Sequence, residues 1–541
     1  MTTYTHQPRR GTVRTTAIAA LAATALVGTT SCSGDSQDES GGDRSGGSYS
    51  VGVPTSYLGH FLPGQAGDSG VAQAIWTPLT KVDTASGKVV DAVARSITSK
   101  DQKTWTITLR DWTFQNGEKV TAQSFANAWN ATAYAPNAMP FNYLFMNFKG
   151  YDVLNPAKGK PSADKLSGVK VIDDKTLKVT LNAPLSTFPA LIAGTPFAPL
   201  PKAAFRSKDF SAFDKLPIGN GPYKVASPGI ANGAQQVRLE RYDGYAGTKG
   251  NAQTITVKGF QNDTTAFTSF RAGAVDIATV NGNDLSTASK TYRNQVITAG
   301  APAVVYLGFP LWDKRFQDKK VREAFSLAID RDAIVRALLH GFAEPADGVV
   351  PKVLAGGGQP DCSYCSYDPE RARKLLREAG GWTGSLTLWT KQDATTQVVL
   401  QAVLGQLRSN LGIKDISLEA KPLDQMYSAL GAKNVSGPFL LYTGASYPSS
   451  YSLVDSLFST SSGANVTGYD SKKFAAQLAK AAHADPANAD ALTRDAARTA
   501  LDDFPLAPVY YPQTGLVHSA RVNDVAIDYL ADADLARVTV K

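Results

Sequence analysis

Two cysteines in "DCSYC", Cys362 and Cys365, stand at C-x-x-C spacing, which serves half a metal site, a thiol redox pair or a short structural disulfide. A metal site needs further ligands close by, and the flanking sequence has none. A redox pair ordinarily opens a helix of a thioredoxin-like unit, and the loop before "YDPERA" has no such pattern. A disulfide that pins a loop is the reading that fits an exported chain. The histidines offer no second centre: His60, His340, His483 and His518 share no H-x-x-x-H or H-E-x-x-H spacing, and His6 lies near the N-terminus. No G-x-S-x-G elbow occurs, and the "GGGQ" beginning at Gly356 lacks the Lys-Ser/Thr of a phosphate loop. Residue types that break or transfer bonds are present but not grouped. The expectation is a protein that binds, with no enzymatic activity and no cofactor.

The elements that carry these residues belong to a chain of 541 residues, long enough at about 150 residues per domain for three or four core-forming units. Hydrophobic content of 43% and charged content of 19% are those of a folded soluble protein. The net charge of +8 is spread as Lys and Arg among Asp and Glu, without a basic run or a nucleic-acid motif, so no nucleic-acid partner is expected. Residues 1–32 read as an export signal: Arg9, Arg10 and Arg14 precede the apolar run from Ala17 to Gly28, and small residues follow up to Cys32. The run is short for a membrane span. Residues 33–48 read as a flexible tether with an r.m.s. reach of about 20–24 Å. A cysteine heading such a tether resembles a bacterial lipoprotein, with the lipid on Cys32, although "GTTSC" places Thr29 where those signals usually carry Leu. That resemblance implies a cell-surface protein held on the outer face of the cytoplasmic membrane.

Beyond the tether the pattern mixes strands and helices. "TWTITLRDWTF" alternates Trp105, Ile107 and Leu109 with Thr and Arg, as a half-buried strand does. Asn116-Gly117 turns the chain, and Thr121 is placed to cap a helix. "VKVIDDKTLKVTL" holds two alternating runs around Asp173-Asp174, which predicts a hairpin. In "KKVREAFSLAIDRDAIVRALLHGFAEPADGVVP", Val321, Ala324, Phe325, Ala328 and Ile329 form one apolar helix face. Asp330 caps a second helix carrying Ile334, Val335, Leu338 and Leu339, which stops by Gly341. "YDPERARKLLREAGG" repeats the grammar, with Asp368 as cap, Pro369 at the first helical position, an apolar face of Ala372, Leu375, Leu376 and Ala379, and Gly380 as the stop.

Taken together, "TWTITLRDWTFQNGEKVTAQSFANAWN", "IGNGPYKV", "FQDKKVREAFSLAIDRDAIVRALLHGFAEPADGVVP" and "YDPERARKLLREAG" resemble, in family order, the extracellular solute-binding proteins of peptide ABC transporters, the oligopeptide/dipeptide/nickel-binding family. Asn220 stands where the family's Gly-Thr-Gly-Pro-Tyr has Thr. The resemblance implies an α/β fold of the periplasmic-binding-protein type II class, two lobes joined by hinge crossings, with a small extra domain inserted in the N-terminal lobe. The expected boundaries are 49–303 for the N-terminal lobe, with the insertion at about 85–200, then 304–510 for the C-terminal lobe and 511–541 returning to the first. "YLGFP" and "PVYYP" would lie near the hinge. The implied partners are a peptide or peptide-like ligand, ABC permease subunits and a lipid anchor, and the protein is expected to act as a monomer that closes its lobes on the ligand. Another polar solute, such as an oligosaccharide or metal chelate, and a sensing role remain alternatives, with an exported hydrolase ranked well below them, since two carboxylates can always meet in space.

Candidate ligand-contacting residues are Tyr57, Asn220, Trp389, Ser446 and Tyr447. One departure from the family bears on the ligand. Its typical peptide binders carry Trp-x-Ala-Asp-Tyr-x-x-Pro, whose Asp pairs with the peptide α-amino group, whereas "TGASYPSSY" has Thr443 for the Trp and Ser446 for the Asp. A buried ammonium without a countercharge costs several kcal/mol. The expectation is a ligand that lacks a free amino terminus or does not need one, unless a carboxylate elsewhere, such as Asp455, substitutes.

Overall fold

The computed structural model describes residues 46–207, 209–230, 233 and 235–541. The expected export signal, the expected lipid site at Cys32 and most of the expected tether lie outside the described residues. Ser48, read above as the end of the tether, is the first residue of strand Ser48–Pro54, where it pairs with Thr254.

That strand is the centre of the first lobe. It runs parallel to Thr254–Phe260 on one side and to Ile277–Val280 on the other, and Gln236–Arg241 and Tyr223–Val225 extend the sheet antiparallel. Tyr49, Val51, Ile255 and Val257 are buried on one face of the sheet and alternate with more exposed neighbours. A separate four-stranded antiparallel sheet, in the order Ala94–Ser99, Thr104–Leu109, Thr176–Thr180, Val169–Asp173, packs into the same core with helix Ala122–Ala133. The predicted hairpin is the last pair of that sheet. Its aromatic cluster around Trp129, Phe145, Phe148 and Phe197 has centroid separations of 4.7–6.3 Å, the range in which edge and offset ring contacts are favourable.

The second lobe is built on Ala303–Gly308, antiparallel to Phe439–Gly444, which is followed by Leu386–Lys391 and Ile416–Lys421 in parallel. Helices cover it, and the local signals found in the sequence act as expected. Asp330 Oδ1 accepts from Ala333 N at 2.8 Å to start helix Arg331–Leu338, and Asp368 Oδ1 accepts from Arg371 N at 2.9 Å to start Pro369–Glu378. Val321, Ala324, Phe325, Ala328 and Ile329 are all buried. Between the two helices of the quoted pair, the Arg331 side chain donates to the carbonyls of Pro508, Ser326, Ile329 and Cys365 at 2.7–3.3 Å. Those helices therefore dock a guanidinium onto the long strand and the Cys362–Cys365 loop. The two cysteines are disulfide-bonded with Cα atoms 5.4 Å apart.

One strand belongs to both lobes. The first part of Leu506–His518 pairs with Ala303–Gly308 and Ala343–Pro345, and the second with Val296–Gly300 and Ile277–Val280. Alongside it the chain crosses through Ala301 and Pro302, with Ala301 N donating to Pro512 O at 2.9 Å. The residues after His518 then pack on the first lobe, where Tyr49 OH donates to Leu535 O at 2.8 Å. Among the described residues no helix is long and apolar enough to cross a membrane.

Candidate functional site

Where the two lobes face each other, a cavity of about 690 Å³ opens. Its floor is the crossing itself, Ala299, Gly300 and Pro302. Thr84, Val89 and Thr187 contribute from the first lobe, Leu354, Pro448 and Asp490 from the second, and Ile527, Asp528 and Tyr529 from the returning segment. A concave, partly apolar volume of this size, at a junction of two lobes, is the usual form of a small-ligand site. Three hydrogen bonds made by its lining residues Ser186 and Thr187 cross to the second lobe. Ser186 N donates to Ala482 O and Ser186 Oγ to Ala481 O, both at 2.8 Å, and Thr187 Oγ1 lies 3.1 Å from Tyr447 OH.

Local structure explains how the second-lobe residues reach the cleft. Strand Phe439–Gly444 ends at the crossing, where Ala445 N donates to Pro302 O at 2.9 Å. The chain then turns through Ser446, Tyr447 and Pro448 before Ser449 caps helix Ser450–Phe458, its Oγ accepting from Tyr451 N at 3.2 Å. Ser446 and Tyr447 line a side chamber of about 50 Å³ with Asp68, Tyr529 and Phe141. Asp68 enters from the loop between Pro63–Ala66 and Gly70–Ile75, a turn that needs Gly67 at φ +67°, where any Cβ would strike the Phe141 ring.

Tyr529 is the shared wall of the chamber and the main cavity. Its hydroxyl donates to Asp68 Oδ2, while Asp68 Oδ1 accepts from Thr195 Oγ1 at 2.7 Å. The neighbouring Asp528 closes its own turn, with Oδ1 accepting from Leu530 N and Asp532 N, both at 2.9 Å. Its Oδ2 is buried and has no hydrogen-bond partner. Burial and the nearby Asp532 and Asp68 hold the Asp528 carboxyl well above the usual range, and burial pushes Asp68 up as well. Asp532 accepts from Tyr57 OH at 3.2 Å and Gly70 N at 3.1 Å, and burial pushes it up to about 6.

The five residues proposed from sequence are thus distributed unequally. Ser446 and Tyr447 line the cleft. Tyr57 sits behind the acidic wall on Asp532. Asn220 is fully buried, accepting from Thr77 N and donating to Thr77 O, and so clamps the backbone of the first lobe. Trp389 is 9% exposed within strand Leu386–Lys391, where Lys421 Nζ lies 5.0 Å from its ring. Asp455, the suggested substitute carboxylate, accepts from Ser459 Oγ on its own helix. Sequence reasoning missed Asp68, Thr187, Asp528 and Tyr529. Asp68 and Tyr529 are 461 positions apart, and only the folded return of the chain brings them together.

Comparison with known proteins places this geometry in context. The profile of the bacterial extracellular solute-binding proteins, family 5 Middle, matches residues 88–465. The oligopeptide-binding protein OppA of Bacillus subtilis (strain 168) is 28% identical over 471 residues, 83% of this chain and 85% of that protein. The periplasmic oligopeptide-binding protein OppA of Escherichia coli (strain K12) is 30% identical over 451 residues, 80% of each chain. Among solved structures, the unliganded open form of the periplasmic murein tripeptide binding protein MppA superposes with a TM-score of 0.79 at 23% identity, covering 91% of this chain and 97% of that one.

Proposed function

The chain belongs to the bacterial extracellular solute-binding proteins, family 5, and from that membership we propose that it captures peptides or peptide-like solutes outside the cell and hands them to an ABC permease. The fold is the type II periplasmic-binding-protein class. The observation that carries the proposal is the cavity of about 690 Å³ whose walls come from both lobes and whose floor is the crossing between them. Closing such a cleft buries the solute without covalent chemistry, so the protein binds and releases but does not turn over. The crossing strands supply hinges, and the wall-to-wall bonds of Ser186 and Thr187 supply contacts that depend on how closely the lobes approach.

The expected domain plan serves this role: lobes at 49–303 and 304–510, an insertion at about 85–200, and 511–541 returning to the first lobe. The protein acts as a monomer. Its export signal and Cys32 lipid would keep it beside the permease, tethered by residues 33–48. In the producing cell, mass spectrometry of the mature protein is expected to find a diacylated or triacylated Cys32 at the N-terminus, since one chain alone anchors only marginally. An unmodified N-terminus elsewhere refutes the anchor. The ligand class is tested by native mass spectrometry of the purified protein and by calorimetry with a tetra- to octapeptide library. Retention of a saccharide or metal chelate, with no peptide binding, overturns it.

A further inference from the structure

Leu506–His518 has strand partners on both edges, and the chain crosses between the lobes beside only one of them. On that edge Val296–Gly300 runs through Ala301 and Pro302 into Ala303–Gly308. On the other edge Ile277–Val280 of the first lobe stops opposite Gly515, and Ala343–Pro345 of the second starts opposite Pro512. These two strand ends face each other across Gln513 and Thr514 without a chain joining them. Side chains bridge the gap instead. Helix Arg331–Leu338 is closed by Gly341 N donating to Val335 O at 3.0 Å and Phe342 N to Leu339 O at 2.8 Å, with His340 in the left-handed region at φ +53°. That conformation costs a residue with a Cβ, and its contacts must hold it. His340 Nε2 lies 2.7 Å from Asn283 Oδ1 in helix Gly282–Thr291, so the ring donates and the amide oxygen accepts. Phe342 packs on the first-lobe cluster that includes Phe267, Leu285 and Val517. His340, Asn283 and Phe342 line neither the cleft nor its side chamber.

We infer that His340 and Phe342 latch the outer edge of the junction and fix the lobe angle at which the cleft is assembled, so that residues the solute does not touch set how tightly it binds. Two sets of contacts brace that angle from opposite sides of the crossing. The latch holds the outer edge, and the Ser186 and Thr187 bonds hold the side of the cleft, whose floor is Ala299, Gly300 and Pro302. Both sets are made in the same structure. A swing about Ala301 and Pro302 that parts Ser186 from Ala482 also displaces Ala343–Pro345 relative to Ile277–Val280, and with it the contact of His340 on Asn283. Each set therefore stabilises the other. The apparent affinity for a solute is the intrinsic affinity multiplied by the fraction of molecules at the competent angle, and the latch raises that fraction. The inference rests on the lobe-closing reading above.

Hydrogen exchange on the ligand-free protein tests the latch, because the Ser186 amide donates across the lobes to Ala482 O and exchanges when they part. His340→Ala and Asn283→Ala are each expected to speed exchange at Ser186 by about fivefold, the size of one neutral hydrogen bond. The double variant should do no more, since both changes remove the same bond. The amide of Val51, in the central strand of the first lobe, should keep its rate, which separates a loosened junction from a weakened lobe. Asn283→Asp gives the imidazole a charged acceptor and a stronger bond, and it should slow exchange at Ser186 by a similar factor. Calorimetry with the tetra- to octapeptide library should show the apparent affinity falling in His340→Ala and rising in Asn283→Asp. Exchange at Ser186 that is unchanged in both Ala variants overturns the inference whatever the protein binds, and so does shifted exchange with unchanged affinity for the peptides that bind. If exchange shifts as stated and no peptide binds, the peptide reading fails and the latch stands.

Discussion

Thr187 Oγ1 and Tyr447 OH meet at 3.1 Å from opposite lobes, so a single hydroxyl on each side reports whether the cleft is shut. A neutral hydrogen bond of this kind is worth about 1 kcal/mol, or about fivefold in a binding constant. Tyr447→Phe is expected to weaken peptide binding by about that factor with little change in the unfolding temperature of the ligand-free protein. Calorimetry on the variant checks it, and an unchanged affinity would show that the bond forms independently of closure.

Ligand should draw the lobes together and raise the unfolding temperature by mass action, equivalent to about 2.7 kcal/mol at a hundredfold excess over Kd. Small-angle scattering with and without a bound peptide is expected to show a smaller radius of gyration in the complex. Superimposable curves would count against a hinge at Ala301 and Pro302.

Arg331 is 3% exposed and donates to four backbone carbonyls from the long strand, its own helix junction and the Cys365 loop. Burial holds its guanidinium down to about 9, so it is charged at neutral pH. Arg331→Met leaves those carbonyls without donors, and a loss of about 3–5 kcal/mol is expected in denaturant unfolding. A loss under about 1 kcal/mol would mean that water replaces the side chain.

The disulfide closes a loop of four residues, Cys362 to Cys365. Replacing both cysteines with Ser should cost about 2 kcal/mol by the loop-entropy argument and leave peptide affinity unchanged. Thiol titration of the purified protein is expected to find no free sulfhydryl at these positions.

The Asp532 carboxyl, pushed up to about 6 by burial, binds its proton more tightly in the folded chain than in the unfolded one, where the value is 3.8. Its contribution to stability is complete below the unfolded value and is lost as pH rises through about 6. The ligand-free protein should therefore unfold at lower temperature at pH 7 than at pH 5 through this group, and Asp532→Asn should flatten the profile across that window. A parent profile that rises steadily from pH 5 to pH 7 would contradict the assignment.

The parts of this molecule that could be read from sequence are those decided within about ten residues. Asp330 and Asp368 cap helices through neighbours three positions away, and the Val169–Asp173 and Thr176–Thr180 hairpin follows from alternation around two aspartates. The motif departure at Ser446 was also legible, because it sits in a recognisable local pattern. Its surroundings were not, since Asp68 and Tyr529 line the same chamber, and no periodicity links positions several hundred residues apart. "DYLADAD" looks like an ordinary solvated acidic stretch until Tyr529 is seen donating to Asp68 and Asp532 accepting from Gly70. Asn220 shows the converse, a motif position whose polar atoms are spent on Thr77 and which serves the backbone of the lobe.

Because Leu506–His518 and the segment after it complete a sheet and a core begun at Ser48, the first lobe is topologically unfinished until almost the whole chain has been made. Contacts such as Tyr49 to Leu535 close over 486 positions, and pairings that distant form slowly. An N-terminal half emerging from the ribosome therefore lacks the antiparallel neighbour of Ile277–Val280 and the cover over Tyr49, which delays its commitment to a stable shape. The same late strand that joins the lobes therefore sets the moment at which the molecule can mature.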